Sequence, residues 1–102
     1  MEFGLNNEDL KKMRDIFERF STIDKVIIFG SRAMGNYKKG SDVDLAICGN
    51  FNNSTLSKVK SLLNEEPPLP YFFDVLAYGE IESKDLLDHI EQYGMTIYKK
   101  EG

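Results

Sequence analysis

Apolar residues along the chain follow two rhythms that alternate from one end to the other. Leu10, Met13, Ile16, Phe17 and Phe20 recur at helical spacing, with Asn6 or Asn7 ahead of them as a cap and Asp9 in the first turn. Lys25 to Gly30 is a short β-branched run of the kind found in buried strands. Ser31 to Asn36 has room for one helical turn, and Tyr37 to Ser41 is loop. From Asp42 to Cys48 the rhythm changes to period two, which puts Val43, Leu45 and Ile47 on one face of a strand. After a turn at Gly49 to Asn53, Ser54 or Thr55 caps a helix whose Leu56, Val59, Leu62 and Leu63 share a face. Pro67, Pro68 and Pro70 end that helix and form a stiff loop. Tyr71 to Tyr78 is strand-like. Ser83 or Glu82 then opens a helix carrying Leu86, Leu87, Ile90 and Tyr93, Gly94 stops it, and Met95 to Tyr98 forms a last strand.

This alternation predicts an α/β (α+β) fold: one domain over residues 1–102, with a mixed sheet of about four strands packed against helices. The connection between the first two strands is too short for an ordinary parallel crossover, hence the mixed sheet. Apolar residues make up 41% of the chain and charged residues 29%, a globular balance that excludes disorder as the dominant state. The longest aliphatic or aromatic run, Val26 to Phe29, is far short of the ~20 residues needed to cross a bilayer. A single cysteine, Cys48, leaves no internal disulfide and reads as core filler. With no apolar leader at the N-terminus, the expectation is a cytoplasmic protein. The net charge of −4 disfavours a general nucleic-acid coat, because such binding draws on Lys and Arg neutralising phosphates.

The acidic surplus is concentrated where chemistry is possible. Asp42 and Asp44 lie two residues apart at the start of a strand, so both side chains leave the same face. Two ionised carboxylates side by side repel unless a cation sits between them, and a hard divalent ion, Mg²⁺ or Mn²⁺, suits oxygen ligands. Asp74 stands among Tyr71, Phe72, Phe73, Val75 and Leu76, which reads as a central, covered strand where a lone charge would need the same partner. Gly30 ends a strand and Ser31 opens a helical turn, an arrangement that aims amides and a hydroxyl at an anion. Both Gly-x4-Gly spacings lack the following P-loop lysine, no Gly-x-Gly-x-x-Gly occurs, and one Cys with one His makes no zinc site.

Gly30-Ser31, then ten residues, then Asp42-x-Asp44 resembles the nucleotidyltransferase motif of the DNA polymerase β superfamily. The fuller string, Gly-Ser-Arg-Ala-x-Gly followed by Ser-Asp-x-Asp-Leu-Ala, is similar to its small prokaryotic branch, the minimal nucleotidyltransferases or MNT proteins. The resemblance implies that Asp42 and Asp44 bind two metal ions, that Asp74 completes the catalytic site and aligns the acceptor hydroxyl, and that Gly30 and Ser31 hold the triphosphate of ATP. Arg32 fits the same string as a nucleotide contact. The resemblance further implies a helical HEPN-domain protein as partner, in a toxin–antitoxin pair where this chain is the antitoxin and moves AMP onto a tyrosine of the toxin. A hetero-oligomer or homodimer is expected, since the chain has no room for an acceptor domain.

Blander readings stand beside these. The Asp42 and Asp44 pair is otherwise an exposed acidic turn, and Asp74 a buried carboxylate bonded to backbone donors. Gly30 and Ser31 are otherwise a plain strand-to-helix cap, and Arg32 a surface ion pair. Lys38 and Lys39 read as a solvated loop, His89 as a structural or solvated helix residue, and Tyr71 to Phe73 as core and edge packing. Two functional alternatives are a non-catalytic antitoxin that covers its partner, and a nucleotide-binding subunit of a larger transferase.

Overall fold

Asn6 opens the first helix, α1 (Asn7–Glu18), through a capping box: its side chain accepts from the Asp9 amide at 2.7 Å, and the Asp9 carboxylate accepts from the Asn6 amide at 3.3 Å. The remaining elements are β1 (Ile23–Phe29), α2 (Ser31–Met34), β2 (Val43–Gly49), α3 (Asn53–Glu65), β3 (Phe73–Ala77), a 3-10 turn at Tyr78–Glu80, α4 (Lys84–Tyr93) and β4 (Met95–Lys99). This is a computed structural model that describes residues 3–38, 40–65 and 69–101. The expectations for Lys39, Pro67 and Pro68 lie outside the described residues.

The strands form one mixed sheet in the order β3-β2-β1-β4. Strand β1 runs antiparallel to both β2 and β4, whereas β2 and β3 are parallel and joined through α3. Alternation along β2 sends Val43, Leu45 and Ile47 into a core that also holds Leu10, Met13, Ile16 and Phe17 of α1, Val59 and Leu63 of α3, and Phe73. Phe17 and Phe73 are fully enclosed there, each worth about 1.5–3 kcal/mol of burial. The opposite face is thinner. Phe29, Ala46 and Ile90 of α4 form its buried centre, with Ile27, Leu76 and Leu86 packed around them. Asp44 and Asp74 precede Ala46 and Leu76 by two residues on β2 and β3, so they share this thinly covered α4 face.

Two expectations are corrected. Strand β3 lies at an edge of the sheet, with β2 on one side only. The apolar run around it reads as central because Phe72 counts as core, yet Phe72 is 57% exposed. Helix α3 begins earlier than Ser54: the Asn52 side chain accepts from the Thr55 amide at 2.9 Å and supplies the cap. Ser83 caps α4 by accepting from Leu86, and Gly94 ends it, both as expected.

Candidate active site

Register brings the chemistry together. Phe29 of β1 pairs with Asp44 of β2, and Asp44 pairs with Asp74 of β3, so one end of the sheet reads Phe29, Asp44, Asp74 across three strands. Gly30 follows Phe29 directly, and Asp42 lies just ahead of β2. The six residues singled out in the sequence thus reach one end of the sheet from β1 with α2, from the start of β2, and from β3.

Gly30 is there for a steric reason. Its φ of +77° is disfavoured for any residue with a Cβ, and a Cβ at this position would strike the Asp44 carboxylate. The Gly30 turn and Asp44 are therefore built against each other. Ser31 starts the one-turn helix α2, closed by the Gly35 amide donating to the Ser31 carbonyl at 3.0 Å and by Gly35 in the left-handed region.

The carboxylates form a shared negative field. Burial pushes the Asp44 carboxyl above the ordinary Asp value, Asp74 and then Asp42 push it further, and His89 opposes them. Asp42 is exposed. Asp74 is also open, with its side chain 51% exposed, and its Oδ1 lies 3.8 Å from Lys60 Nζ. This corrects the expectation that burial forces a partner on Asp74. An ion pair so exposed contributes little to stability.

Among the described residues, no three His, Cys, Asp or Glu side chains close into a ready-made metal cage. The donor set nonetheless fits a divalent cation of the magnesium type. Such an ion keeps several waters and takes one or two carboxylates plus substrate phosphates, rather than an all-protein cage. Asp44, held against like charges and raised in proton affinity, is a ligand that a cation would relieve.

Arg32 departs from the surface reading. It is 3% exposed, and its Nε, Nη1 and Nη2 each donate to a backbone carbonyl inside the protein. Nε and Nη2 donate to the Ser41 carbonyl at 3.1 and 2.8 Å, and Nη1 donates to the Phe3 carbonyl at 2.8 Å. Its guanidinium also lies 5.3 Å from the Tyr37 ring centroid and 5.0 Å from that of Tyr71. Arg32 is thus a buried staple that fixes the segment leading into Asp42, and not a surface ion pair. Tyr71 extends the staple by donating to Asp9 Oδ2 at 2.7 Å.

His89 is the residue that sequence reasoning misses. The Gly30 amide donates to its Nε2 at 2.9 Å across 59 positions of sequence. The ring sits between Phe29 and Tyr93, at 6.2 and 5.3 Å between centroids. His89 is therefore the acceptor that orients the Gly30 peptide, which leaves the Ser31 amide and hydroxyl as the donors of the turn available to an anion. Only its position on α4, opposite the end of β1, gives it this contact, and no local pattern signals that.

Comparison with known proteins agrees with this geometry. The family described as polymerase beta, nucleotidyltransferase, matches residues 11–102. A Methanocaldococcus jannaschii protein, provisionally named a protein adenylyltransferase, is 30% identical over 79 residues, covering 74% of this chain and 79% of its own. A toxin–antitoxin crystal structure with AMP-PNP superimposes with a TM-score of 0.71 at 18% identity, over 95% of this chain and 76% of that one. The tri-AMPylated Shewanella oneidensis HEPN toxin in complex with its MNT antitoxin gives 0.70 at 14% identity, over 94% and 74%. At such identities the structural likeness is one of fold. With the family matched over nearly its whole length and the motif residues gathered at one end of the sheet, the chain belongs to the polymerase beta nucleotidyltransferase family.

Proposed function

We propose that this nucleotidyltransferase moves AMP from ATP to a hydroxyl of a partner protein, and that it is the antitoxin of a pair whose other member is a helical HEPN-domain toxin. The observation that carries the proposal is the Gly30 turn built against Asp44, with Asp74 next in register. The adenylyltransferase name of the M. jannaschii relative and the AMPylated toxin in the structural neighbour support AMP and a protein acceptor.

Ser31 offers its amide and hydroxyl to the triphosphate. Asp42 and Asp44 would hold a divalent cation, which would polarise the phosphate oxygens and offset the charge that develops during transfer. Asp74, the outermost carboxylate, orients the acceptor hydroxyl and receives its proton. The acceptor oxygen bonds to the α-phosphorus as the bond from that phosphorus to pyrophosphate breaks, and pyrophosphate leaves on the opposite side. Arg32 keeps the Asp42 segment in place throughout.

The test is incubation with Mg-ATP and a candidate HEPN-domain partner protein, followed by mass spectrometry of that protein. The expected result is the added mass of one or more AMP units, and a drop of roughly a thousandfold in rate for Asp44→Asn, the equivalent of several kcal/mol of lost cation stabilisation. Full inhibition of the toxin by an Asp42→Asn/Asp44→Asn double variant, with no AMP added by wild type, would establish a covering antitoxin instead.

A further inference from the structure

Helix α4 is held over β1, where His89 accepts from the Gly30 amide and its ring lies against Phe29. Strand β3, at the edge of the sheet, is left with little above it on the same face. Leu76 and Ala77 of β3, Leu56 of α3, Ile81 and Leu86 of α4 line the groove that results, a cavity of about 330 Å³. All five are only partly buried. Leu76 follows Asp74 by two residues on the same face, so the groove begins roughly 7 Å along the strand from Asp74.

The charge around this groove is one-sided. Glu80 and Glu82 stand on it, and Asp85, Asp88 and Glu91 continue along the exposed side of α4. Against these five carboxylates the segment from Tyr78 to Tyr93 has one lysine, Lys84, and so carries a net charge of −4, equal to that of the whole chain. Acids and bases balance over the remaining residues. Among the described residues none of the five carboxylates has an ion-pair partner. Such a field repels nucleic-acid phosphates and anionic lipid and attracts a cationic ligand. The apolar floor asks for an aliphatic side chain and the acidic rim for lysine or arginine beside it, a combination that a polypeptide offers.

We propose that this groove docks the protein that brings the acceptor hydroxyl, through a segment in which an aliphatic anchor is flanked by lysine or arginine; this rests on the protein-acceptor reading above. The anchor fills the space between Leu76, Ile81 and Leu86, and its basic neighbours meet Glu80 and Glu82. The partner's chain leads from there along β3 toward Asp74. The buried anchor supplies affinity, and the acidic rim speeds encounter and selects a basic partner over an acidic one.

The test titrates two capped peptides, acetyl-Lys-Leu-Leu-Lys-amide and acetyl-Glu-Leu-Leu-Glu-amide, into the full chain at low salt, read by NMR. The basic peptide is expected to shift the amide resonances of Ile81, Glu82 and Leu86, and the acidic peptide to leave them unmoved. A Glu80→Gln/Glu82→Gln double variant should bind the basic peptide about fivefold more weakly, the loss of two exposed ion pairs, with its affinity for Mg-ATP unchanged. Equal shifts from the two peptides, no shift at these residues, or undiminished affinity in the double variant would overturn the docking site. Shifts of the same resonances on raising protein concentration alone would assign the groove to a second copy of this chain and overturn it too. Neither peptide carries a hydroxyl, so the readout is independent of AMP transfer. Failure of wild type to add AMP to any protein, with the basic peptide still seated in the groove, would count against the transfer reading and leave the basic-segment site standing.

Discussion

Asp44 is the residue on which local cost and function meet. Its carboxyl binds a proton more tightly in the folded chain than in the unfolded one, chiefly through burial and then through Asp74 and Asp42. The folded state therefore gains relative stability at acid pH and loses it as pH rises from the ordinary carboxylate value through the raised one. Asp44→Asn removes that liability. In thermal melts without metal, the variant is expected to exceed wild type by a few degrees at neutral pH, and the gap should close on acidification. An unchanged gap across pH would show that the like-charge field is not felt.

A second prediction at this scale concerns His89. If its Nε2 orients the Gly30 peptide, His89→Ala should lower transfer by about a hundredfold, the cost of a misplacement near one ångström. His89→Gln, which keeps an acceptor, should recover part of the loss, and circular dichroism should be the same for all three proteins. Equal losses in the alanine and glutamine variants would reduce His89 to packing.

At the level of elements, the site depends on segments stitched together by Arg32. Its guanidinium links the N-terminal segment at Phe3, the loop at Ser41 and the aromatic rings of Tyr37 and Tyr71. Arg32→Met leaves two carbonyls without their charged donor and is expected to cost about 2–4 kcal/mol in urea unfolding. A change below about 0.5 kcal/mol, the size of a typical surface substitution, would contradict the staple.

The same elements explain what the sequence discloses and what it hides. Period-two alternation in β2 and the Gly-Ser turn are local patterns, so Gly30, Ser31, Asp42 and Asp44 are legible from their neighbours in the chain. Arg32 stands out as important but not as buried, because a basic residue beside a phosphate turn looks the same whether it faces the ligand or the fold. Hydropathy alone puts β3 at the centre of the sheet, since it does not distinguish a covered Phe72 from an exposed one with Lys60 beside it. His89 leaves no local trace, because its partner is set by how α4 lies on the sheet.

For the molecule as a whole, the site occupies one end of a sheet that is well covered on the α1 and α3 face and thinly covered on the α4 face. That asymmetry leaves Asp42 and the Asp74 side chain exposed at the end of the sheet. Among the described residues no helix is long and apolar enough to cross a membrane.

The proposed chemistry requires Asp42 and Asp44 to hold a divalent cation against a triphosphate seated on the Gly30–Ser31 turn. Calorimetric titration of ATP with and without magnesium tests it most directly. Heat of binding is expected for wild type only when magnesium is present, with affinity at least about tenfold weaker in Asp44→Asn, the loss expected for a perturbed metal site. Binding of ATP that is indifferent to magnesium, or equal in wild type and the Asp42→Asn and Asp44→Asn variants, would contradict it.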